Sequence, residues 1–350
     1  MHQSSEIPFG MIGCGRAALD LHLPAWSTVP EVKLVAVCDP SETALHAVAK
    51  RMPRIRTYTD VEKFLQESGP LGFVDVATPG HTHLELAEAV ISHGVNLLCE
   101  KPLVLKSEDA ASLVQSANEA GVLLACVHNY RFKPNAQRAL RVFRSGVLGD
   151  IVSVSVRFRS GPLYSDAAAW RRREREHRTL LFDWAIHFVD LALVFLGPLR
   201  NLRFVDGDVD GVGLQRVVFG TLHENGSRGL FDLMVDASST STEIEVLGES
   251  AGMSLQFFPP GFRMLPRRDT PIHRGAAEVL RAFNFAGNVV GQRIRRTRCP
   301  EQARSHALLF RKFVAAIQGK KEAPVPNDEV LRTIALLDEV AQAVYEAKAH

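Results

Sequence analysis

No run of roughly 18 or more apolar residues occurs in the sequence, so nothing in it reads as a membrane-spanning helix. No basic segment followed by a long apolar stretch precedes the first apolar strand, Ile7 to Ile12, so no secretory leader is expected. There is no C-x-x-C pair. The five cysteines, Cys14, Cys38, Cys99, Cys126 and Cys299, are odd in number and scattered, and four fall in or beside strand-like apolar runs. A free cysteine there acts as a small hydrophobe, and a reducing cytoplasm is the expected compartment. Neither sign of charge dominates: 41 Lys and Arg face 39 Asp and Glu, so no global field draws the chain to nucleic acid or a membrane surface. No G-x-S-x-G turn follows a strand, which disfavours a Ser-His-Asp hydrolase. The histidines do not repeat at ligand spacing with Cys or acidic partners, so no metal is expected. Internal repeats are also lacking.

What the sequence does hold is enough chain for two domains: 350 residues, 46% hydrophobic and 23% charged. The first 127 residues alternate short β-branched runs with helical patterns, the signature of a parallel sheet covered by helices. Strands are expected at Ile7 to Ile12, Val32 to Cys38, Phe73 to Thr78, Val95 to Cys99 and Val122 to Val127. Leu84 to His93 reads as a helix stopped by Gly94, and Ser107 as the N-cap of a helix ending at Gly121.

From residue 128 the pattern changes. Pro134 to Ser145 reads as a helix, Ile151 to Arg159 as a half-buried strand, and Leu180 to Leu196 as one strongly apolar helix closed by Gly197-Pro198. Strands follow at Arg216 to His223, Leu230 to Val235, Ile244 to Leu247 and Met253 to Phe258, the first two joined by a turn containing Asn225-Gly226. Pro259 to Pro300, rich in Pro and Arg, reads as an irregular surface arm with one short helix; a substrate lid or an oligomer contact is the alternative. Two helices, Glu301 to Gln318 and Asp328 to Ala347, finish the chain. The expected class is α/β: an N-terminal Rossmann domain with a doubly wound parallel sheet (1–127), then an α+β domain with a mostly antiparallel open sheet (128–350).

Gly13-Cys14-Gly15-Arg16-Ala17-Ala18 sits directly after a strand and before a helix-compatible segment. The first glycine permits a tight turn, the second lets the backbone approach a pyrophosphate, and Ala18 takes the small-residue place where the helix packs on the sheet. Free N–H groups and the positive helix end then face the phosphates. Taken alone such a turn is a weak signal. Asp39 strengthens it, because it ends the second strand about 20 residues on, where a carboxylate accepts hydrogen bonds from ribose hydroxyls. The same carboxylate repels a 2′-phosphate, so NAD is favoured over NADP.

Glu100-Lys101-Pro102 lies at the carboxyl end of a parallel strand, the edge where open α/β sheets place their ligands. Read alone, such a pair is equally a solvated turn. Lys101 carries a compact charge able to orient a hydroxyl or polarise a carbonyl oxygen. Asp183 and His187 are four residues apart, so a regular helix puts them on one face, with Asp190 continuing the stripe as a structural residue. Their neighbours are apolar, and an unpaired buried polar group costs on the order of 1 to 3 kcal/mol, so the stripe needs partners or a cavity. The bland reading is a satisfied core histidine. The functional one makes His187 the base that takes a hydroxyl proton as hydride leaves the adjacent carbon for a nicotinamide, with Asp183 orienting it.

These blocks, with His22-Leu23-Pro24, Ala77-Thr78-Pro79 followed by His83, and Asn129-Tyr130-Arg131-Phe132 followed by Pro134, resemble the glucose-fructose oxidoreductase, inositol dehydrogenase and rhizopine-catabolism family, Gfo/Idh/MocA. The resemblance covers residues 7 to 197 and extends to the final helices. It implies that Lys101 is the active-site lysine, that Thr78, Pro79, His83, Glu100, Lys101 and Asn129 lie beside the dinucleotide with Gly13, Gly15, Arg16, Ala18 and Asp39, and that Tyr130 and Arg131 lie near the substrate. It implies a carbohydrate-like substrate and a homo-oligomer through the second sheet.

The chain departs from that pattern in one place. Many members carry a glycine pair before the Asp-x-x-x-His segment, whereas here the stretch is Glu176-His177-Arg178-Thr179-Leu180-Leu181-Phe182. Upstream, Trp170, Arg171 and Arg172 begin an arginine run that is either a solvated helix face or an anion clamp on the substrate. Two other readings stay open: a non-catalytic NAD or sugar sensor of the same fold, and a glycosidase using transient oxidation by bound NAD.

Overall fold

A computed structural model of the chain describes residues 6–161, 178–209, 213–235, 237–266 and 303–346. Strand β1 (Ile7–Ile12) leads through a π turn (Ala18–His22) into a short helix α1 (Leu23–Trp26). There follow β2 (Val32–Cys38), α2 (Glu42–Arg51), β3 (Arg56–Tyr58), α3 (Val61–Glu67), β4 (Phe73–Val76), α4 (His83–Ser92), β5 (Asn96–Glu100), α5 (Ser107–Glu119) and β6 (Leu124–Val127). All these strands pair in parallel in the order β3-β2-β1-β4-β5-β6. β4 and β6 are buried along their whole length, because helices cover both faces of the sheet. The order reverses between β1 and β4, and the carboxyl ends of β1, β4, β5 and β6 share one rim. That rim is where an open parallel sheet leaves a crevice.

A 3₁₀ turn (Asn129–Phe132) and α6 (Pro134–Arg144) lead to β7 (Ile151–Arg159). A second π turn (Leu180–Ala185) runs into α7 (Ile186–Leu196). Strands β8 (Leu199–Val209), β9 (Leu214–His223), β10 (Arg228–Met234), β11 (Ser241–Gly248), β12 (Ala251–Phe257) and β13 (Pro260–Pro266) complete a sheet ordered β13-β12-β11-β7-β10-β9-β8. Only the β7–β10 pair is parallel. β11 alternates buried Thr242, Ile244 and Val246 with more exposed Glu243, Glu245 and Leu247, as expected of a sheet packed on one face.

The last helices, α8 (Arg304–Ile317) and α9 (Asn327–Glu346), return to the parallel sheet. Phe310 stacks on Trp26 with ring centroids 4.1 Å apart, and Phe313 meets Phe73 edge-on at 5.3 Å. One apolar core therefore runs through both sheets, and a smaller one, Met11, Cys14, Ala18, Val37, Leu45, Val48 and Ala77, lies under the glycine turn.

Four expectations need correction. Leu180 to Leu196 is two elements, because the Ile186 N–H bonds the Leu181 carbonyl and widens the turn before α7 begins. Ser107 is the first helical residue rather than the cap; its N–H and hydroxyl both donate to the Asp338 carboxylate of α9 (2.9 and 3.0 Å). The start of the Pro/Arg-rich arm, Pro260–Pro266, is an edge strand paired with β12; the rest of the arm to residue 302 lies outside the described residues. The eleven-residue β8 was not anticipated, since three register irregularities against β9 break the alternation of its apolar residues.

Candidate active site

The glycine turn closes on itself through backbone and one carboxylate. Gly13 has φ +98°, and a Cβ there would stand 2.7 Å from the Ala77 carbonyl oxygen, so only glycine fits. A Cβ on Gly15 would meet nothing within 4 Å: it faces open space, the cradle that a close-approaching phosphate needs. Asp39 accepts from the Cys14 and Ser41 N–H groups, each at 2.8 Å, which fixes its carboxylate beside the turn. Ala18 is fully buried. Arg16 extends into solvent beside Asp20, 3.7 Å away. Burial, and then the charge of Asp39, pushes the Cys14 thiol up to about 12, so it packs as a hydrophobe and is no nucleophile.

Across the switch point, the Thr82 hydroxyl donates to the Thr78 hydroxyl (2.8 Å), and Pro79 opens a 3₁₀ turn that feeds α4. His83 is buried with Nδ1 2.6 Å from the Pro102 carbonyl and Nε2 3.0 Å from the Thr78 carbonyl. Burial holds its pKa below the ordinary value, against the pull of those two carbonyls. It ties the loop after β4 to the loop after β5.

Lys101 leaves the rim at the end of β5. Its Nζ donates to the Asp183 carboxylate at 2.8 Å and to the Asp183 backbone carbonyl at 2.6 Å, and the two side chains are 13% and 15% exposed. Asp183, expected to orient His187, is engaged by Lys101 and lies in the π turn that runs into α7. His187 lies flat on the Tyr130 ring, centroids 4.0 Å apart and planes 16° from parallel. Its Nδ1 is buried with no hydrogen-bond partner among the described residues. Burial, reinforced by the Lys101 charge, holds its pKa well below the ordinary value, which favours the neutral imidazole.

Arg131, expected near substrate, is buried and engaged elsewhere. Its Nε and one terminal nitrogen donate to the two oxygens of Asp190 (2.7 and 2.6 Å), and the other terminal nitrogen pairs with Glu329 of α9. The bidentate pair fixes the 3₁₀ turn against α7, which sets the Tyr130 ring on His187. Asp190, expected to be structural, is fully buried and accepts both bonds of that pair. Asn129 is buried, with its amide 3.4 Å from the Ser305 hydroxyl. Trp170, Arg171 and Arg172 lie outside the described residues.

Sequence reasoning missed the group behind Lys101. His22 bridges Asp75 (Nδ1 to Oδ2, 2.8 Å) and Glu100 (Nε2 to Oε1, 2.9 Å), and His306 of α8 stands 3.5 Å from the same Glu100 oxygen. His22-Leu23-Pro24 was visible as a block; no local pattern ties His306 or Asp75 to it.

Residues 7–128 match the oxidoreductase family with an NAD-binding Rossmann fold, GFO/IDH/MocA, and residues 136–254 match the C-terminal domain of the same family. The chain belongs to the Gfo/Idh/MocA family. Among its relatives, D-apiose dehydrogenase of Paraburkholderia graminis is 31% identical over 225 residues, 63% of this chain and 59% of that protein. D-glucoside 3-dehydrogenase of Escherichia coli is 27% identical over 194 residues, 55% of each. The match thus spans less than two thirds of either relative. The WlbA dehydrogenase of Bordetella pertussis, solved with NADH and UDP-GlcNAcA, superposes with a TM-score of 0.80 at 21% identity, covering 99% of this chain and 98% of that one. At that identity the likeness is one of fold.

Proposed function

We propose that this Gfo/Idh/MocA protein is an NAD-dependent oxidoreductase acting on a secondary alcohol, or the corresponding ketone, of a sugar, cyclitol or nucleotide sugar. One observation carries the reading: Lys101, its ammonium ion-paired with Asp183, leaves the rim that also holds the Gly13–Gly15 cradle, and its charge bears on the stacked imidazole of His187. The D-apiose and D-glucoside relatives support the substrate class.

Gly13, Gly15 and the N–H groups that follow would hold the pyrophosphate, and Asp39 the adenosine ribose, with Thr78, Pro79 and His83 shaping the floor. When bound, NAD supplies the acceptor for the hydrogen that leaves the carbinol carbon with its electron pair. The chain's own residues handle the proton and the charge. Lys101, drawn to its place by the two Asp183 oxygens, faces negative charge developing on the substrate oxygen and stabilises it in a site with little water. His187, neutral before reaction, takes the hydroxyl proton; Tyr130 beneath it keeps the ring from tilting. In the reverse direction His187 returns the proton to the former carbonyl oxygen while Lys101 stabilises the charge developing on it.

Substrate selection would come from the second domain (128–350), including the region of Trp170, Arg171 and Arg172. The outer face of its sheet, where Leu230 is 46% and Leu247 38% exposed, is the proposed homo-oligomer surface. A cytoplasmic location fits the four buried free thiols, Cys14, Cys38, Cys99 and Cys126. No helix among the described residues is long and apolar enough to cross a membrane.

Thermal shifts with NAD and NADP, followed by a sugar and nucleotide-sugar panel read by NADH release, test the reading. Stabilisation by NAD and one NADH per sugar consumed are expected. Tight NAD binding with no NADH from any panel member would favour a sensor, and sugar cleavage with NAD recycled a glycosidase.

A further inference from the structure

Behind Lys101 lies a buried polar group with no part in the proton and charge handling described above. Asp75 and His22 are fully buried, and His306 and Glu100 nearly so. His22 is delivered by the first π turn, where the Leu23 N–H reaches back to the Ala18 carbonyl and the extra residue in the turn aims the imidazole at β4 and β5. Both of its nitrogens face carboxylate oxygens at hydrogen-bond distance. Carboxylates of this kind only accept, so both ring nitrogens must donate: His22 is an imidazolium. The Trp26 indole N–H donates to the same Asp75 oxygen at 2.7 Å and holds the far end.

Glu100 is the hinge of the group. Oε1 takes His22, with His306 at 3.5 Å, while Oε2 accepts the backbone N–H of Lys101 at 2.9 Å. The carboxylate thus spans from the buried imidazolium to the residue that carries the ammonium. Remove the imidazolium and two buried carboxylates lose the charge between them; one must take a proton or turn away, and the Lys101 N–H loses its acceptor.

We propose that His22, acting through Glu100, is a positioning residue that fixes the backbone at Lys101 and so keeps its ammonium on Asp183. The proposal rests on Lys101 being the charge-stabilising residue of the proposed reaction, but its test needs no turnover. An ammonium held by a carboxylate and a backbone carbonyl exchanges its protons slowly, so the Lys101 NH₃⁺ gives a resolved ¹⁵N–¹H signal, assigned by its loss in Lys101→Met.

In the full chain at neutral pH, His22→Gln is expected to speed that exchange at least about tenfold or erase the signal, while NAD affinity stays within about twofold. His306→Gln keeps a donor near Glu100 and is expected to leave the exchange within about twofold. Glu100→Gln provides a second route should His22→Gln fail to fold: an amide offers one accepting oxygen where the carboxylate offers two, so one of the two donors must face an NH₂. It is expected to speed exchange as His22→Gln does. A folded His22→Gln or Glu100→Gln chain with lowered melting temperature and unchanged Lys101 exchange would overturn the proposal, leaving the group as scaffold. Because the readout is the position of one ammonium, it stands or falls separately from the dehydrogenase reading.

Discussion

Two stretches of the same rim are built from opposite materials. The proposed nucleotide cradle is backbone: Gly13 is forced by its φ and the Ala77 carbonyl, Gly15 presents empty space, and the one side chain, Asp39, is held by two N–H groups within a few residues of the turn or of itself. The proposed reaction centre is mostly side chain, assembled from the loop after β5, the 3₁₀ turn at Asn129–Phe132, the π turn before α7 and the first turn of α7. A backbone cradle tolerates changes of chemistry and fails on added volume. A side-chain centre tolerates volume poorly too, but it fails first on lost charge or lost orientation. Binding and turnover should therefore be separable by mutation.

The largest expected effect falls on turnover. Lys101→Met removes the charge facing the substrate oxygen and should lower kcat by about 10²- to 10³-fold, read in steady-state NADH release on whichever sugar the panel identifies. Next comes stability. Arg131→Met leaves Asp190 buried without its cation and should lower the unfolding free energy by about 3 to 5 kcal/mol in urea denaturation. A variant that kept its stability and lost only substrate affinity would move Arg131 back to the substrate.

A smaller effect sharpens the contrast from the cradle side. Gly15→Val should raise the NAD dissociation constant at least about tenfold, equivalent to about 1.4 kcal/mol, because its side chain fills the open space. Its melting temperature should hardly move, since no atom lies where the first carbon would go.

The smallest expected effect is a pH dependence. Burial alone lowers the pKa of His22, yet Asp75 and Glu100 carry it up to about 10 from an ordinary value of 6.5. A group raised on folding stabilises fully below its unfolded value, and that stabilisation is lost as pH rises through the folded one. The melting temperature should therefore decline between about pH 6.5 and 10, and His22→Gln should flatten that part of the curve.

The same division explains what could be read from the sequence. β1 and β2 were legible to the residue, because strands buried on both faces are continuous apolar runs, and the cradle was legible because its glycines and Asp39 interact locally. β8 was not: its apolar residues Leu199, Leu202, Phe204, Val205 and Val209 lack the alternation that marks a strand, because its register shifts three times against β9. Lys101, Asp183 and His187 stood out through spacing and resemblance, but the Lys101–Asp183 pair joins residues 82 apart, which helical periodicity does not encode. The Arg131 pairing with Asp190 and Glu329, and the meeting of His22, Glu100 and His306, depend on α8 and α9 folding back across the parallel sheet. No local pattern records that.

The separation of the two materials is tested most directly by titrating NAD calorimetrically into the Lys101→Met variant. An affinity within about threefold of the parent chain, in a protein whose turnover has collapsed, is the expected result. An affinity that falls in step with turnover would contradict it, and would make Lys101 part of the nucleotide cradle rather than of the reaction centre.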